Sequence, residues 1–170
     1  QDETGALYPA EGNPPQADPL QAAMDYAAAY LEGSRDEEDF YLQGTWTASK
    51  EQSIPHTDDI TIETASVADN AVTVLLTANR PGEWTYGLPF TLEREIGGTW
   101  YHVPPVFGSY EFPLAACLLP TGVPTEMDYG LEWIYGTLPP GHYRLLPDVG
   151  CQNAEGTDTD YLLAAEFDIP

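Results

Sequence analysis

The sequence predicts a mainly β protein: an antiparallel β-sandwich of seven or eight short strands, preceded by one amphipathic α-helix. Three observations carry this. From about residue 59 onward, apolar side chains recur at every second position, the period of a strand with one buried face. The 170 residues include 15 Gly and 16 Pro, so turn signals recur throughout, and the connections are too short for the crossover helices that parallel strands need. Hydrophobic residues make up 42% and aromatic residues 12% of the chain. That content supplies a core that a disordered acidic chain lacks, and the length is enough to bury it.

Each element follows from local chemistry. Residues 1–17 are polar and rich in Pro, Gly and acid, and read as a flexible leader. Residues 18–57 hold the helix and a linker. Asp18 is suited to an N-cap and Pro19 to the first helical position, Leu20, Ala23, Met24, Ala27 and Leu31 repeat at helical spacing, and Gly33 ends the helix, giving about 19–32. The acidic run 36–39 reads as a solvated linker. Residues 58–170 form the sandwich. Ile60 and Ile62 lead one strand, and Val72, Val74, Leu76 and Ala78 form the next. Leu88, Phe90 and Leu92 alternate with Thr91, Glu93 and Glu95, which places the two glutamates on a wet face. Gly97-Gly98 is a tight hairpin turn, and Trp100 and Val103 lie on the return strand. Tyr110, Phe112, Leu114, Ala116 and Leu118 share one face. Met127, Tyr129, Leu131, Trp133 and Tyr135 share another, putting Trp133 in the core. Tyr143 and Leu145 follow a Pro-Pro-Gly turn, and Tyr161, Leu163, Ala165, Phe167 and Ile169 form the last strand.

Charge excludes several functions. There are 28 acidic residues against 5 basic ones, a net charge of −23, and Arg35, Lys50, Arg80, Arg94 and Arg144 are scattered singly. No patch can neutralise a phosphate backbone, so nucleic acid is excluded as a partner. An anionic membrane surface is disfavoured, and no apolar run is long enough to span a bilayer.

Residues 135–144 read Tyr-Gly-Thr-Leu-Pro-Pro-Gly-His-Tyr-Arg. The pattern Leu138…Gly141-His142-Tyr143 resembles the corner of a Greek-key sandwich, where a tyrosine at the start of a late strand bonds back to the preceding loop. Together with Gly97-Gly98-Thr99-Trp100-Tyr101 and the strand Leu163–Ile169, the run resembles a bacterial Ig-like domain family of Gram-positive secreted and lipid-anchored envelope proteins. The resemblance covers about residues 58–169. It implies an Ig-like Greek-key sandwich used for display, spacing or binding outside the cell, anchored through an N-terminal segment, and it carries over no catalytic residue. Pro147 departs from the family pattern and is expected to end or bulge its strand.

Candidate chemistry is sparse. In an oxidising envelope Cys117 and Cys151 could form a disulfide or stay as two free thiols, and their spacing does not fit an antibody-type bridge. His56, His102 and His142 stand at no metal-ligand spacing. Ser109 lacks the second glycine of a nucleophile elbow, and the pair Glu93 and Glu95 is more simply the wet side of a hairpin. Calcium is the one cofactor candidate, through the oxygens of Asp148, Asn153, Glu155, Asp158 and Asp160, although their order is not that of an EF-hand. Trp84 and Tyr86, with Trp46, lie in less regular segments and are candidates for an exposed ligand or partner surface.

The function expected is therefore a non-catalytic secreted or surface-anchored module for display or protein interaction in the cell envelope, with an extracellular protein or glycan as its partner. The alternatives are a carbohydrate or cell-wall binding module using exposed aromatics, and an enzyme or inhibitor domain whose site the linear sequence hides.

Overall fold

The computed structural model describes residues 46–68, 71–105, 111–113 and 115–170. The leader 1–17, the helix expected at 19–32, the acidic run 36–39, Ser109, Tyr110 and Leu114 lie outside the described residues. The elements are β1 (Thr47–Ala48), β2 (Ile60–Ala68), β3 (Ala71–Ala78), β4 (Glu83–Ile96), β5 (Thr99–His102), β6 (Ala116–Leu119), β7 (Thr125–Gly130), α1 (Glu132–Tyr135), β8 (Gly141–Gln152), β9 (Asp158–Tyr161) and β10 (Ala165–Ile169).

The strands build two antiparallel sheets. One runs β1-β5-β4-β8-β10, with β6 also on β4 and β9 also on β8; the other runs β2-β3-β7. The chain changes sheet after β1, β3, β6 and β7, which interlocks the layers as a Greek-key sandwich does. β3 shows the driving force most simply. Val72, Val74, Leu76 and Ala78 are fully buried while the intervening side chains are half-exposed, so strict alternation fixes which face points inward. Each such side chain contributes about 1.5–3 kcal/mol by leaving water, less for alanine. The facing sheet supplies Phe90, Leu92, Tyr143 and Leu145 to one cluster, and Trp84, Val149 and Cys151 to a second. At the hairpin between β4 and β5, Gly97 and Gly98 have φ of 60° and 80°, the left-handed values a two-residue turn requires.

The corner tyrosine is present. Tyr143 is fully buried at the start of β8 and its hydroxyl donates to the Pro139 carbonyl at 2.7 Å. Its ring stacks on Phe167 with centroids 5.9 Å apart.

Several expectations are corrected. The apolar run at odd positions from 127 to 135 is not one strand. β7 stops at Gly130, and the Tyr135 N–H donates to the Leu131 carbonyl at 2.9 Å in a helical turn. That turn buries Leu131, Ile134 and Tyr135, spaced i, i+3 and i+4, and turns Trp133 outward at 46% exposure. Leu118 points to solvent because the short edge strand β6 directs Leu119 inward instead. The last apolar stretch divides into β9 and β10, which pair with different parts of β8.

Glu93 is not on a wet face. It is 1% exposed, and Arg144, equally buried, donates to it from Nε and Nη2 at 2.6 Å each. The segment before β2 covers the pair, with Arg144 Nη2 also donating to the Glu51 carbonyl and the guanidinium lying 4.3 Å from the Trp100 ring centroid. His102 Nδ1 is 3.1 Å from the other Glu93 oxygen.

Two stability outcomes follow from this packing. Tyr143→Phe leaves a buried carbonyl unpaired and should lower unfolding free energy by about 1–3 kcal/mol, read from the urea midpoint at unchanged slope. Arg144→Met strands a buried carboxylate and should cost about 3–5 kcal/mol, while the double variant Glu93→Leu/Arg144→Met should recover most of that loss in the same titration.

Candidate functional site

β4 and β8 pair along most of their length, but the ladder is interrupted. The register passes from Tyr86 opposite Val149 to Phe90 opposite Pro147, so three residues of β4 (87–89) stand against Asp148 alone. Pro147, without an N–H, borders this bulge as its departure from the family pattern led us to expect. Inward side chains on either side, Trp84, Phe90 and Val149, are buried; Thr85, Asp148 and Gly150 face the other way.

A cleft of about 430 Å³ lies at the bulge, within the range of small-ligand sites. Its lining includes the small residues Gly87, Gly150 and Ala116 and the prolines Pro89 and Pro113. Glycine at 150 matters because of what crowds it. A Cβ there would lie 3.5 Å from the Thr159 carbonyl oxygen, 3.6 Å from Asp160 Oδ1 and 4.0 Å from Thr85 Oγ1, so oxygens from the two neighbouring strands flank this glycine. At Gly87 a Cβ would lie only 2.7 Å from Asp148 Oδ2, so that carboxylate leans over Gly87. Asp148 and Asp160 make no ion pair and no side-chain hydrogen bond among the described residues. The lining has neither histidine nor cysteine. The arrangement offers oxygen acceptors and negative charge, and no nucleophile paired with a base.

Behind the bulge lies Tyr129, 3% exposed, whose hydroxyl has no hydrogen-bond partner. Its ring packs edge-on against Phe90. Burial, with the nearby Tyr86 and Asp148 charges, pushes this phenol well above the ordinary tyrosine value. The hydroxyl thus ends within electrostatic range of two cleft residues. Burial likewise raises Tyr86, with the Cys117 thiol beside it adding to the shift.

The sequence-predicted residues are distributed as follows. Trp84 is 1% exposed and is corrected from surface to core: its ring lies against Tyr161 and its Nε1 donates to the Arg80 carbonyl at 2.9 Å. Trp46 is half-buried against the core, and only Tyr86 of the three reaches the cleft lining. The exposed tryptophan is Trp133, against Phe112 at 5.3 Å. Phe112 immediately precedes Pro113 of the cleft wall, so Trp133 borders the same region.

The calcium donors are not brought together. Asn153 spends its oxygen on the Glu155 and Thr157 N–H groups in the β8–β9 turn, and Asp158 accepts from Gln152 at 3.0 Å. Asp148 and Asp160 face the cleft instead. No group of three or more His, Cys, Asp or Glu side chains suited to a metal occurs among the described residues.

Cys117 and Cys151 are free thiols. Cys117 pairs with Tyr86 across one edge of β4 and Cys151 with Trp84 across the other. With β4 between them and their β4 partners two residues apart, they are about 11–12 Å apart, two strand spacings across and two residues along, beyond disulfide reach. The position two residues after the corner tyrosine, which holds a bridge cysteine in antibody domains, is Leu145 here.

His142 lies between two carboxylates, Nδ1 at 2.7 Å from Asp168 and Nε2 at 3.3 Å from Glu166. Burial opposes its protonation, but the hydrogen bonds to Asp168 and Glu166 outweigh that and raise its pKa.

Residues 56–168 match the bacterial Ig-like domain family, about two thirds of the chain. The chain belongs to that family. No curated protein and no solved structure matches it. The match takes in both sheets from β2 to β10, and so includes the bulge and the whole cleft lining.

Three outcomes test this description. Tyr129→Phe removes an unpaired buried hydroxyl, so the variant should melt at the same temperature or higher, the reverse of Tyr143→Phe. Thiol titration of the native protein should count two free thiols, the half-buried Cys117 reacting before the buried Cys151. For His142 the raised folded pKa means its stabilisation is complete below the unfolded value of about 6.5 and is lost as pH rises through the folded value. His142→Asn should therefore destabilise the protein more near pH 6 than near pH 9 in thermal melts.

Proposed function

We infer that this bacterial Ig-like domain is a non-catalytic interaction module displayed outside the cell, with an extracellular protein as its partner. The observation that carries the reading is the combination at the β4–β8 bulge: a preformed cleft with unpaired carboxylates and no nucleophile–base pair, bordered by an exposed tryptophan. Domains of this family are generally non-catalytic. Bacterial Ig-like domains are often extracellular, and no helix among the described residues is long and apolar enough to cross a membrane. Tryptophan is the residue type most enriched at the energetic centres of protein interfaces. Trp133 also favours a second reading, a carbohydrate-binding module in which a sugar ring stacks on the indole.

The experiment is site-specific photocrosslinking in intact cells, with the probe in place of Trp133 or Leu118 on one side and of Val67, on β2 in the other sheet, as control. A discrete protein adduct from the first two positions, absent from the third, is expected. Adducts from all three alike, or from none, overturn the protein reading. Retention on a cell-wall glycan column that Trp133→Ala abolishes would favour the sugar reading.

A further inference from the structure

We propose that residues 49–53 are a latch over the outer edge of β5, and that the edge beneath it is where an extended strand of a partner adds to the larger sheet. The latch lifts while the sandwich stays folded. It lies on a different part of the molecule from the cleft and does not depend on it.

The latch begins where a strand pair stops. β1 meets β5 through Thr47 opposite His102 and Ala48 opposite Tyr101, which puts Ser49 opposite Trp100. That third pair is half made. The Ser49 N–H donates to the Trp100 carbonyl at 2.9 Å. The return bond of an antiparallel pair, from the Trp100 N–H to the Ser49 carbonyl, is replaced by the Gln52 carboxamide. Its Oε1 accepts from the Trp100 N–H at 2.8 Å, and its Nε2 donates to the Ser49 carbonyl at 2.8 Å. A side chain thus stands in for backbone and closes an edge that would otherwise offer its groups to another strand. The chain then crosses the outer face of the sheet, where the Glu51 carbonyl accepts from Arg144 Nη2.

Little apolar contact holds this segment. Ser49 is buried, but Lys50, Glu51, Gln52 and Ser53 are exposed. What it covers is charged, since Glu93 and Arg144 are almost completely buried. Glu93 Oε1 makes no hydrogen bond in the closed state and has only the approach of His102 Nδ1 at 3.1 Å. Closing the latch strips water from these groups, and lifting it returns the water. A few polar contacts therefore hold the latch against a desolvation cost, whereas β3 and β4 are held by apolar burial. Such a segment opens locally and not with the core.

Once lifted, β5 presents the N–H and carbonyl of Trp100 with Arg144 beside them. The latch shows what fits there: an extended segment that donates an N–H to the Trp100 carbonyl, accepts from the Trp100 N–H and sets a carbonyl on Arg144. Backbone bonds of this kind are how a sheet edge takes up a peptide strand.

Opening is read by native-state hydrogen exchange on the full chain. The Ser49 and Trp100 amides should exchange about a hundredfold faster than amides of β3, with almost no dependence on added urea below the unfolding transition. Gln52→Ala, at an exposed position, should speed both amides by the same factor, about tenfold, the scale of one hydrogen bond. Exchange of the two amides with the steep urea dependence of β3 overturns the latch. So does a Gln52→Ala effect confined to Trp100, since Gln52 does not touch the Ser49 N–H and only a concerted opening carries its loss there.

Strand addition is read with an acetylated and amidated peptide of residues 46–53, titrated into the full chain while following amide chemical shifts. Saturable shifts centred on Trp100, Tyr101 and His102 are expected, with the Gln52→Ala chain binding about tenfold more tightly than the parent. The same peptide N-methylated at its Ser49 nitrogen, which lacks the donor for the Trp100 carbonyl, should not bind. Equal binding of the methylated peptide, shifts centred on β7 instead, or no saturation with the Gln52→Ala chain overturn the docking edge. Photocrosslinking at Trp133 and Leu118 reports on the other proposal alone, and its outcome leaves this one unchanged.

Discussion

The pairing of β4 with β8 is the constraint on which the rest of the domain depends. Among the described residues they are the longest strands, 14 and 12 residues, and they pair with each other. Every other member of the larger sheet adds to one of them or, in the case of β1, to a neighbour of one. Because the ladder is long, it can hold an irregularity in its middle and remain ordered at both ends. One end carries the tyrosine corner and the Arg144–Glu93 pair; the other carries Trp84 and Cys151 in the second core cluster. Between them the bulge turns Asp148 and three residues of β4 out of register, and the cleft is the result. A shorter pair of strands with the same bulge would have too few ladder bonds on either side to hold the sheet together.

The chain has few cations, and its interior claims several of them. Arg144 is consumed by Glu93 and covered by the Trp100 ring. Arg94, 6% exposed, donates to the Pro140 carbonyl at 2.9 Å and lies over Tyr143, where Gly141 leaves room that any larger residue would fill. Arg80 bridges Asp59 and Tyr161 beside Trp84. The surface acids are therefore left with little internal compensation, and the potential around the domain is negative. Such a field speeds the approach of cationic partners but does not choose among them.

The tyrosine corner was legible because it is local. The residues that make it lie within a few positions of one another, and the hydroxyl needs only the carbonyl four residues back. The glycine hairpin and the β3 alternation were legible for the same reason. The run from Met127 to Tyr135 misled because Leu131 and Tyr135 satisfy both a strand period and a helical turn; Trp133, turned outward, and Ile134, turned inward, distinguish the two, and their positions depend on where Gly130 lets the strand stop. Glu93 misled because alternation reports which side of a strand a residue is on, and not whether another segment covers that side. Trp84 misled because the adjacent Pro and Gly suggested a loop, whereas those residues are the turn that feeds a core strand.

What the sequence alone determined is what short-range chemistry controls: a folded acidic β protein, its turns, its corner and the family it resembles. The cleft was decided only in three dimensions. Asp148 and Asp160 were visible as oxygen donors in an acidic stretch, but their common site required β9 to fold back on β8 and place Asp160 opposite Gly150. Thr85 joined them across the β4–β8 ladder. The fate of the cysteines was decided in the same way, by a strand placed between them. Strand registry is set by the sum of many distant contacts, and no stretch of neighbouring residues encodes it.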